Sequence, residues 1–518
     1  MRATWKVGGL LFCSGACALI YQTVWMRQFR LIFGASTLAT AAVLSIFMAG
    51  LGIGSALLGK RADTHPQPLR FYGNLELLIA AAAALSQLLL WLIAKIYFGI
   101  GGSVTLGVFF ATILRLILAS LVLAAPTVLM GGTLPAAARA VESDDDNGRR
   151  RVALLYGVNA LGAVIGTLAS TFFMLEALGN RLTLLVAVVL NALVGIVARN
   201  LSVIPSEARD LQRGGGSSPS LRLRMTLVAA ALVGFTFLLM ELVWYRILAP
   251  LLGGTTFTFG LILAIALLGI GLGGAAYAFW IGNARATAGG FALTCSLEAL
   301  AMAFPFALGD RLAIQTNLLR SLGAIGFGGF VLSWTYVTAL VVFPAAFIAG
   351  IQFPVLISLL GRGEENVGRH VGLAYAWNTA GAIAGSLAGG FGLLPLLTAP
   401  GAWRLSIVLL AILGITAAAF AGRVVPAVIA LLAISGTFAL GPTALWRHSG
   451  IGAGRAATPD SVNATRDWVY TDRRTLVWDV DGRESSVALV DSNDYAFIVN
   501  GKADGSARGD AGTQVMAG

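Results

Sequence analysis

An all-α polytopic membrane protein, built from two parallel six-helix repeats with a short β segment after them, is the fold class this sequence predicts. Three observations lead there. Of the 518 residues, 57% are hydrophobic and 11% charged, and the mean hydropathy of +0.83 excludes a soluble globular protein of ordinary composition. Apolar stretches near the roughly 20 residues needed for a spanning helix are centred near residues 16, 47, 85, 118, 165, 190, 236, 268, 298, 340, 382, 411 and 431. The sequence also recurs 219 residues on: Gly15, Leu19, Val24, Trp25, Arg27, Gly34, Thr37, Gly50, Gly52 and Gly54 become Gly234, Leu238, Val243, Trp244, Arg246, Gly253, Thr256, Gly269, Gly271 and Gly273. Tyr156, Asn159, Gly162 and Gly166 likewise become Tyr375, Asn378, Gly381 and Gly385. A duplication in one orientation relates the halves by an axis along the membrane normal.

The first repeat spans residues 1–198. Its opening helix follows Arg2 and Lys6 as a signal peptide would, yet no small-residue cleavage site follows and further spans come at once, so it reads as a retained span. Residues 199–225 form a polar cytoplasmic linker, with Pro205, Glu207 and Asp210 ahead of Gly214, Gly215, Gly216, Ser217 and Ser218. The second repeat covers 226–422, and 423–440 is a possible thirteenth span separated by only Gly422 and Arg423. From 441 to 518 the chain turns polar and β-like, with strands expected at 475–480, 486–490 and 495–499 and turns at Asp481-Gly482 and 491–494. This tail is expected to be a small antiparallel unit with an exposed edge, packed loosely on the membrane module or on nothing.

The net charge of +11 comes from basic residues spread singly over short loops beside apolar spans, which marks topology rather than a nucleic-acid partner. Their bias places the N-terminus in the cytoplasm of a multi-pass protein of the cell membrane, with the lipid bilayer as its partner. Asp144, Asp145 and Asp146 beside Arg149, Arg150 and Arg151 read as a solvated loop enforcing that topology. Cys13, Cys17 and Cys295 lie in apolar segments as small buried residues, and His65, His370 and His448 are isolated, so no metal site is expected.

Ionisable groups inside spans are costly and therefore informative. Glu76, Arg115, Glu241 and Glu298 are the candidates, with Gln22 at the repeat position of Glu241. All should face the bundle interior. Glu76 and Glu298 read as near-equivalents 222 residues apart, and Arg115 is expected either in a salt bridge with a glutamate or at a substrate or proton site. Tyr156-x-x-Asn159-x-x-Gly162-x-x-x-Gly166 and its copy set small residues four apart for close helix approach, leaving Asn159 and Asn378 to bond across the interface or to a ligand.

The strings LIYQTVWMRQFRLIFG (19–34), AGLGIGSALLGKRAD (49–63), APTVLMGGTLPAAARA (125–140) and LYGVNALGAVIGTL (155–168), with their second copies, resemble the membrane-bound spermidine synthase-like proteins, fused major-facilitator-like and spermidine synthase proteins. That resemblance implies a transporter-like membrane module followed by an aminopropyltransferase-like domain of Rossmann type, using decarboxylated S-adenosylmethionine and a polyamine acceptor. GRESSVALV (482–490) resembles the first strand of that domain, and VNGKADGSARGD (499–510) its hairpin and the approach to a helix. Its substrate-domain positions fall on Asn500, Gly501, Asp504 and Asp510, but the family's Gln after the turn is missing, and Ala511, Gln514, Val515 and Met516 replace Glu, Tyr, His and Glu. The Gly-rich cofactor strand and catalytic Asp would lie beyond Gly518, so no catalytic residue is expected within this chain. The expectation for the chain is therefore a spermidine synthase-like protein whose membrane module is complete and whose catalytic domain is missing. The alternatives are a transporter or binding module for a small, perhaps cationic, metabolite and a membrane scaffold.

Overall fold

The computed structural model describes residues 2–33, 37–143, 145–146, 148–201, 221–283, 285–362, 366–491 and 494–517. Gly34, Asp144, Gly518 and most of the polar linker lie outside the described residues. The first half comprises α1 (Arg2–Phe33), α2 (Thr37–Thr64), α3 (Pro68–Gly99), α4 (Gly102–Gly131), the short α5 (Thr133–Val141), α6 (Arg150–Ala169), α7 (Leu175–Ala177) and α8 (Gly179–Asn200). The second comprises α9 (Leu221–Leu252), α10 (Thr256–Ala276), α11 (Ala288–Leu308), α12 (Asp310–Leu319), α13 (Phe327–Leu360), α14 (Val367–Ala388) and α15 (Leu394–Ala421), followed by α16 (Val424–Gly436). Eleven helical stretches among the described residues are long and apolar enough to cross a membrane. The last, Val367–Ala421, has 55 residues, about 80 Å of helix at roughly 1.5 Å per residue, and so makes two crossings. The apolar centre near 431 is real but short, since α16 has 13 residues.

The 219-residue period governs the backbone as well as the sequence. A π-helical turn at Ser170–Met174 recurs at Gly389–Leu393. The break that follows has positive φ at Gly179 (67°) and again at Thr398 (64°), a conformation that costs a β-branched residue far more than glycine. Close packing repeats too. An added Cβ on Gly15 would meet the carbonyl of Asn159, and one on Gly234 that of Asn378; Gly162 lies on the backbone of Phe12, and Gly381 on that of Ala231. Helix pairs α1–α6 and α9–α14 are therefore the same contact made twice. Between halves, Gly52 and Gly59 on α2 meet α14 while Gly271 and Gly274 on α10 meet α6, so these two seams are also copies of each other.

Successive crossings put the connections at 64–68, 142–149, 282–288, 361–367 and 422–423 on one side, with both ends of the linker; we call this the linker face. The tail lies on the opposite side. It contains α17 (Ala444–His448), α18 (Val462–Thr475), an antiparallel meander β1 (Leu476–Asp481), β2 (Ser486–Asp491), β3 (Tyr495–Val499) and β4 (Lys502–Ser506), and α19 (Ala511–Ala517). Three strands match the sequence expectation closely. The fourth was missed, although Asn500-Gly501, with φ of 49° and 76°, has the left-handed pair that a two-residue hairpin turn demands.

Loose packing of the tail is overturned. Trp446 is buried and its indole N–H donates to the Ile247 carbonyl at 2.8 Å, a group near the end of α9. Arg447 bonds Asp479 (2.7 Å), Asp481 (2.8 Å) and Ser486 Oγ (3.0 Å), tying α17 to β1 and β2. The second Asp481 oxygen accepts from Ala399 N at 2.6 Å, capping the backbone just beyond the strained Thr398. Asp310 on α12 accepts from Thr443 N (2.9 Å) and from Arg473 on α18 (2.8 Å). Burial is affordable for these charges because each has polar partners on several sides.

Asp481 is 2% exposed and would be left as an uncompensated buried carboxylate by Arg447→Met. That substitution should weaken tail docking by about 3–5 kcal/mol. Limited proteolysis should then cut between 441 and 462 much faster than in the parent protein, while the helical core remains resistant.

Candidate functional site

Between the halves lies a cavity of about 280 Å³, walled mainly by α1, α2, α6, α9, α10, α13 and α14, with α3, α4, α5 and α8 contributing one or two residues each. Its lining is paired by the repeat: Gln22 with Glu241, Tyr156 with Tyr375, and Asn159 with Asn378. The sequence singled out these positions separately; the structure brings them to one chamber. Small residues at Gly15 and Gly234 allow α1 and α9 to lie against the asparagine-bearing helices, which fixes Asn159 and Asn378 beside the wall. Asn378 Nδ2 donates to the Ala230 carbonyl at 3.1 Å. Among the described lining residues Glu241 is the one carboxylic acid.

Glu76 stands one hydrogen bond behind that wall. Ser14 Oγ, which lines the cavity, donates to Glu76 Oε1 at 2.7 Å, and Asn191 Nδ2 donates to Oε2 at 2.9 Å and to the Glu76 carbonyl at 2.7 Å. Neither Ser14 nor Asn191 was singled out from sequence. Both are short polar residues in apolar helices, a signal easily lost beside glutamate.

Glu298 belongs elsewhere. It is fully buried, away from the cavity lining, and near Cys295, whose Sγ receives a contact from Gln352 Nε2 at 3.3 Å. Both Glu298 carboxyl oxygens and Gln352 Oε1 lack hydrogen-bond partners. Turning the Gln352 amide over would let its N–H reach toward the carboxyl and its oxygen accept from the Cys295 thiol. The expected 222-residue equivalence with Glu76 is also corrected. Gly195 packs on the Gly73 carbonyl as Gly414 packs on that of Ala292, so the third helices keep the 219 register and Cys295 is the counterpart of Glu76.

Among the described residues Arg115 makes no ion pair with a glutamate. Its Nε donates to the Tyr97 hydroxyl at 2.8 Å and its guanidinium lies over that ring, 5.5 Å from the centroid. Reaching back along α4 to an aromatic partner, it resembles a snorkelling cation more than a substrate ligand. The tail positions Asn500, Gly501, Asp504 and Asp510 lie outside the inter-half cavity. Asn500 Oδ1 accepts from Ser486 N (3.0 Å), Gly501 forms the turn against Pro250, Asp510 accepts from Ser506 N (3.0 Å), and Asp504 is exposed.

Toward the linker face, Phe353 sits between Tyr156 and Tyr375, with centroids at 4.9 and 6.1 Å, closing the chamber floor. Below it the halves are latched by polar contacts. Asp63 at the end of α2 accepts from Gly368 N and Arg369 N, both at 2.8 Å, capping α14 of the other half. Arg149 reaches the Ile357 carbonyl (3.3 Å) and His370 Nδ1 (3.0 Å), Arg150 Nε donates to the Ala278 carbonyl (2.7 Å), and Tyr277 Oη donates to the Gly148 carbonyl (2.9 Å). The loop arginines are thus structural as well as topological, and His370 is not isolated. Burial, reinforced by the charge of Asp146, pushes the Glu142 carboxyl in the same loop up to about 9.

No protein-family model and no curated protein matches the chain. Solved structures do. A bacterial homologue of the iron transporter ferroportin in an outward-facing state is 14% identical, covering 82% of this chain and 100% of its own with a TM-score of 0.51. The same homologue with soaked iron gives 12%, 82%, 100% and 0.51. The human organic anion transporter MFSD10 gives 14% identity, 80% and 99% coverage and a TM-score of 0.49. Identities this low speak to fold alone. The membrane module is major-facilitator-like, and the named structures lend no support to the aminopropyltransferase-like resemblance of the tail.

Proposed function

We propose that this protein is a transporter that moves a small solute across the cell membrane by exposing the inter-half chamber alternately to its two sides. The observation that carries this reading is the chamber itself, at the pseudo-symmetry axis, lined by repeat-related polar residues and latched at the linker face. Transporters built from parallel repeats bind solute at that interface and switch by rocking one half against the other. The basic loops favour a cytoplasmic linker face, with the N-terminus inside and the tail outside. The outward-facing state named for the ferroportin homologue agrees with a chamber sealed on the cytoplasmic side. Asn500, Gly501 and Asp510 serve turns and caps, which favours transport over aminopropyl transfer from decarboxylated S-adenosylmethionine to a polyamine.

The direct test is solute flux in proteoliposomes, read as counterflow with a panel of labelled amines, polyamines, amino acids, nucleosides and carboxylates. Wild-type protein should exchange at least one of them, and bulky Gly381→Leu, which forces α9 off α14, should abolish exchange. Absence of exchange for every class, with protein folded in the membrane, would remove the reading.

Asp63→Asn should loosen the cytoplasmic latch, because an amide oxygen cannot replace two carboxylate oxygens capping two N–H groups. A loss of about 1 to 2 kcal/mol corresponds to a five- to thirty-fold rise in the unlatched population. Hydrogen exchange over 367–376 should accelerate accordingly.

Glu142 gives a pH signature. Its folded pKa of about 9 exceeds the unfolded value of 4.5, so the folded state holds the extra proton between them. Its contribution to stability is therefore present below 4.5 and is lost as pH rises toward 9. Glu142→Gln should flatten the fall of Tm between pH 5 and 9 relative to the parent protein.

A further inference from the structure

We infer that the chamber is a site for a compact, donor-rich organic cation carrying one positive charge, such as a primary ammonium or guanidinium compound. This rests on the transporter reading only for its consequence, solute movement; the binding chemistry stands on the wall itself. The argument is a count of what the wall can still offer. Asn191 commits Nδ2 to Glu76 twice, leaving its side-chain carbonyl as the group available to a ligand. Ser14 gives its hydroxyl hydrogen to Glu76, and Thr133, also on the wall, gives its own to the Met130 carbonyl at 2.8 Å, so both retain only lone pairs. Asn378 spends one amide hydrogen on Ala230.

These commitments leave Asn191, Ser14 and Thr133 as acceptors, while Asn378 keeps one amide hydrogen beside its carbonyl. Asn191 and Asn378 cannot be reversed without setting an oxygen against a backbone carbonyl, so their orientation is fixed by chemistry. Glu241 adds the chamber's single formal charge, and no lysine, arginine or histidine lines the wall among the described residues. An anion would meet a carboxylate with no countercharge, since the donors the wall keeps, on Gln22, Asn159, Tyr156 and Tyr375, are neutral groups. A polyamine would bring two or three charges to one carboxylate, leaving the others desolvated and unpaired. The volume, about 280 Å³, is near the lower end for small-molecule pockets, roughly 300 Å³, and apolar side chains on its wall, Phe47, Phe237 and Phe353 among them, can cover a hydrocarbon or aromatic body.

The repeat supplies a gain-of-function control. Gln22 faces the same chamber from the position equivalent to Glu241, so Gln22→Glu would present two carboxylates across the axis. Binding is read by calorimetry on protein in lipid nanodiscs, using benzylammonium, its neutral analogue benzyl alcohol, its anionic analogue benzoate, and 1,4-diaminobutane. Wild-type protein should bind benzylammonium in preference to both analogues and to the diamine, and Glu241→Gln should weaken that binding by at least about 30-fold, the cost of an unpaired buried charge. Gln22→Glu should raise diamine affinity about tenfold or more relative to benzylammonium. Benzoate or benzyl alcohol binding as tightly as benzylammonium, or Glu241→Gln retaining full affinity, would overturn the inference, as would Gln22→Glu folding normally without gain for the diamine. Flux separates the two readings. Binding of the cation without exchange in proteoliposomes removes the transporter and leaves the site. Exchange of an uncharged or anionic solute, indifferent to Glu241→Gln, removes the cation site and leaves the transporter.

Discussion

The structure depends on helix backbones coming into contact where a side chain would hold them apart. In a bilayer, lipid tails compete with apolar side chains on equal terms, so helix association must come from close packing and from bonds that lipid cannot make. Here the answer is glycine against carbonyl, at Gly15, Gly54, Gly162 and Gly166 and again at Gly234, Gly273, Gly381 and Gly385. A methyl group at any of these would meet backbone rather than a side chain able to swing aside. The same contacts bring polar Asn159 and Asn378 to the chamber, so packing and the polar wall are set by one set of residues.

At the chamber and the linker face the interaction changes in kind. The chamber is walled by uncharged groups and one carboxylate, whereas the linker face is closed by charge-assisted caps from Asp63 and by Arg149 and Arg150 on carbonyls. Bonds of that sort can be exchanged for water without exposing apolar surface. The glycine seams cannot, since opening them leaves voids. A latch that is polar and a framework that is close-packed let one part release while the other persists.

Much of this was legible in the sequence because duplication supplies an internal alignment. The spans, the parallel halves, the pairing of Gln22 with Glu241 and three of four tail strands follow from period and composition. What sequence missed are bonds between distant residues: Asp63 with Gly368, Arg447 with Asp481, Asp481 with Ala399. No periodicity encodes such pairs. Glu298 misled through its chemistry, since an acid three residues away seemed a better counterpart for Glu76 than Cys295, but packing follows glycine spacing and ignores side-chain charge. The fourth strand was hidden because Lys502, Asp504 and Gly505 are poor strand formers; the Asn500-Gly501 turn is what pairs them with β3.

The two seams between the halves, α2 with α14 and α10 with α6, bear on ancestry. They are one interface used twice, the pattern of an isologous contact in a two-fold homodimer. A unit of six crossings returns the chain to its starting side, so a head-to-tail fusion of two such protomers needs no additional span. In a homodimer, however, whatever residue stood at position 22 would stand at both sites, and the chamber could hold two acids or none. Fusion permits Gln22 to face Glu241, an odd charge on a symmetry axis, which identical protomers can never encode.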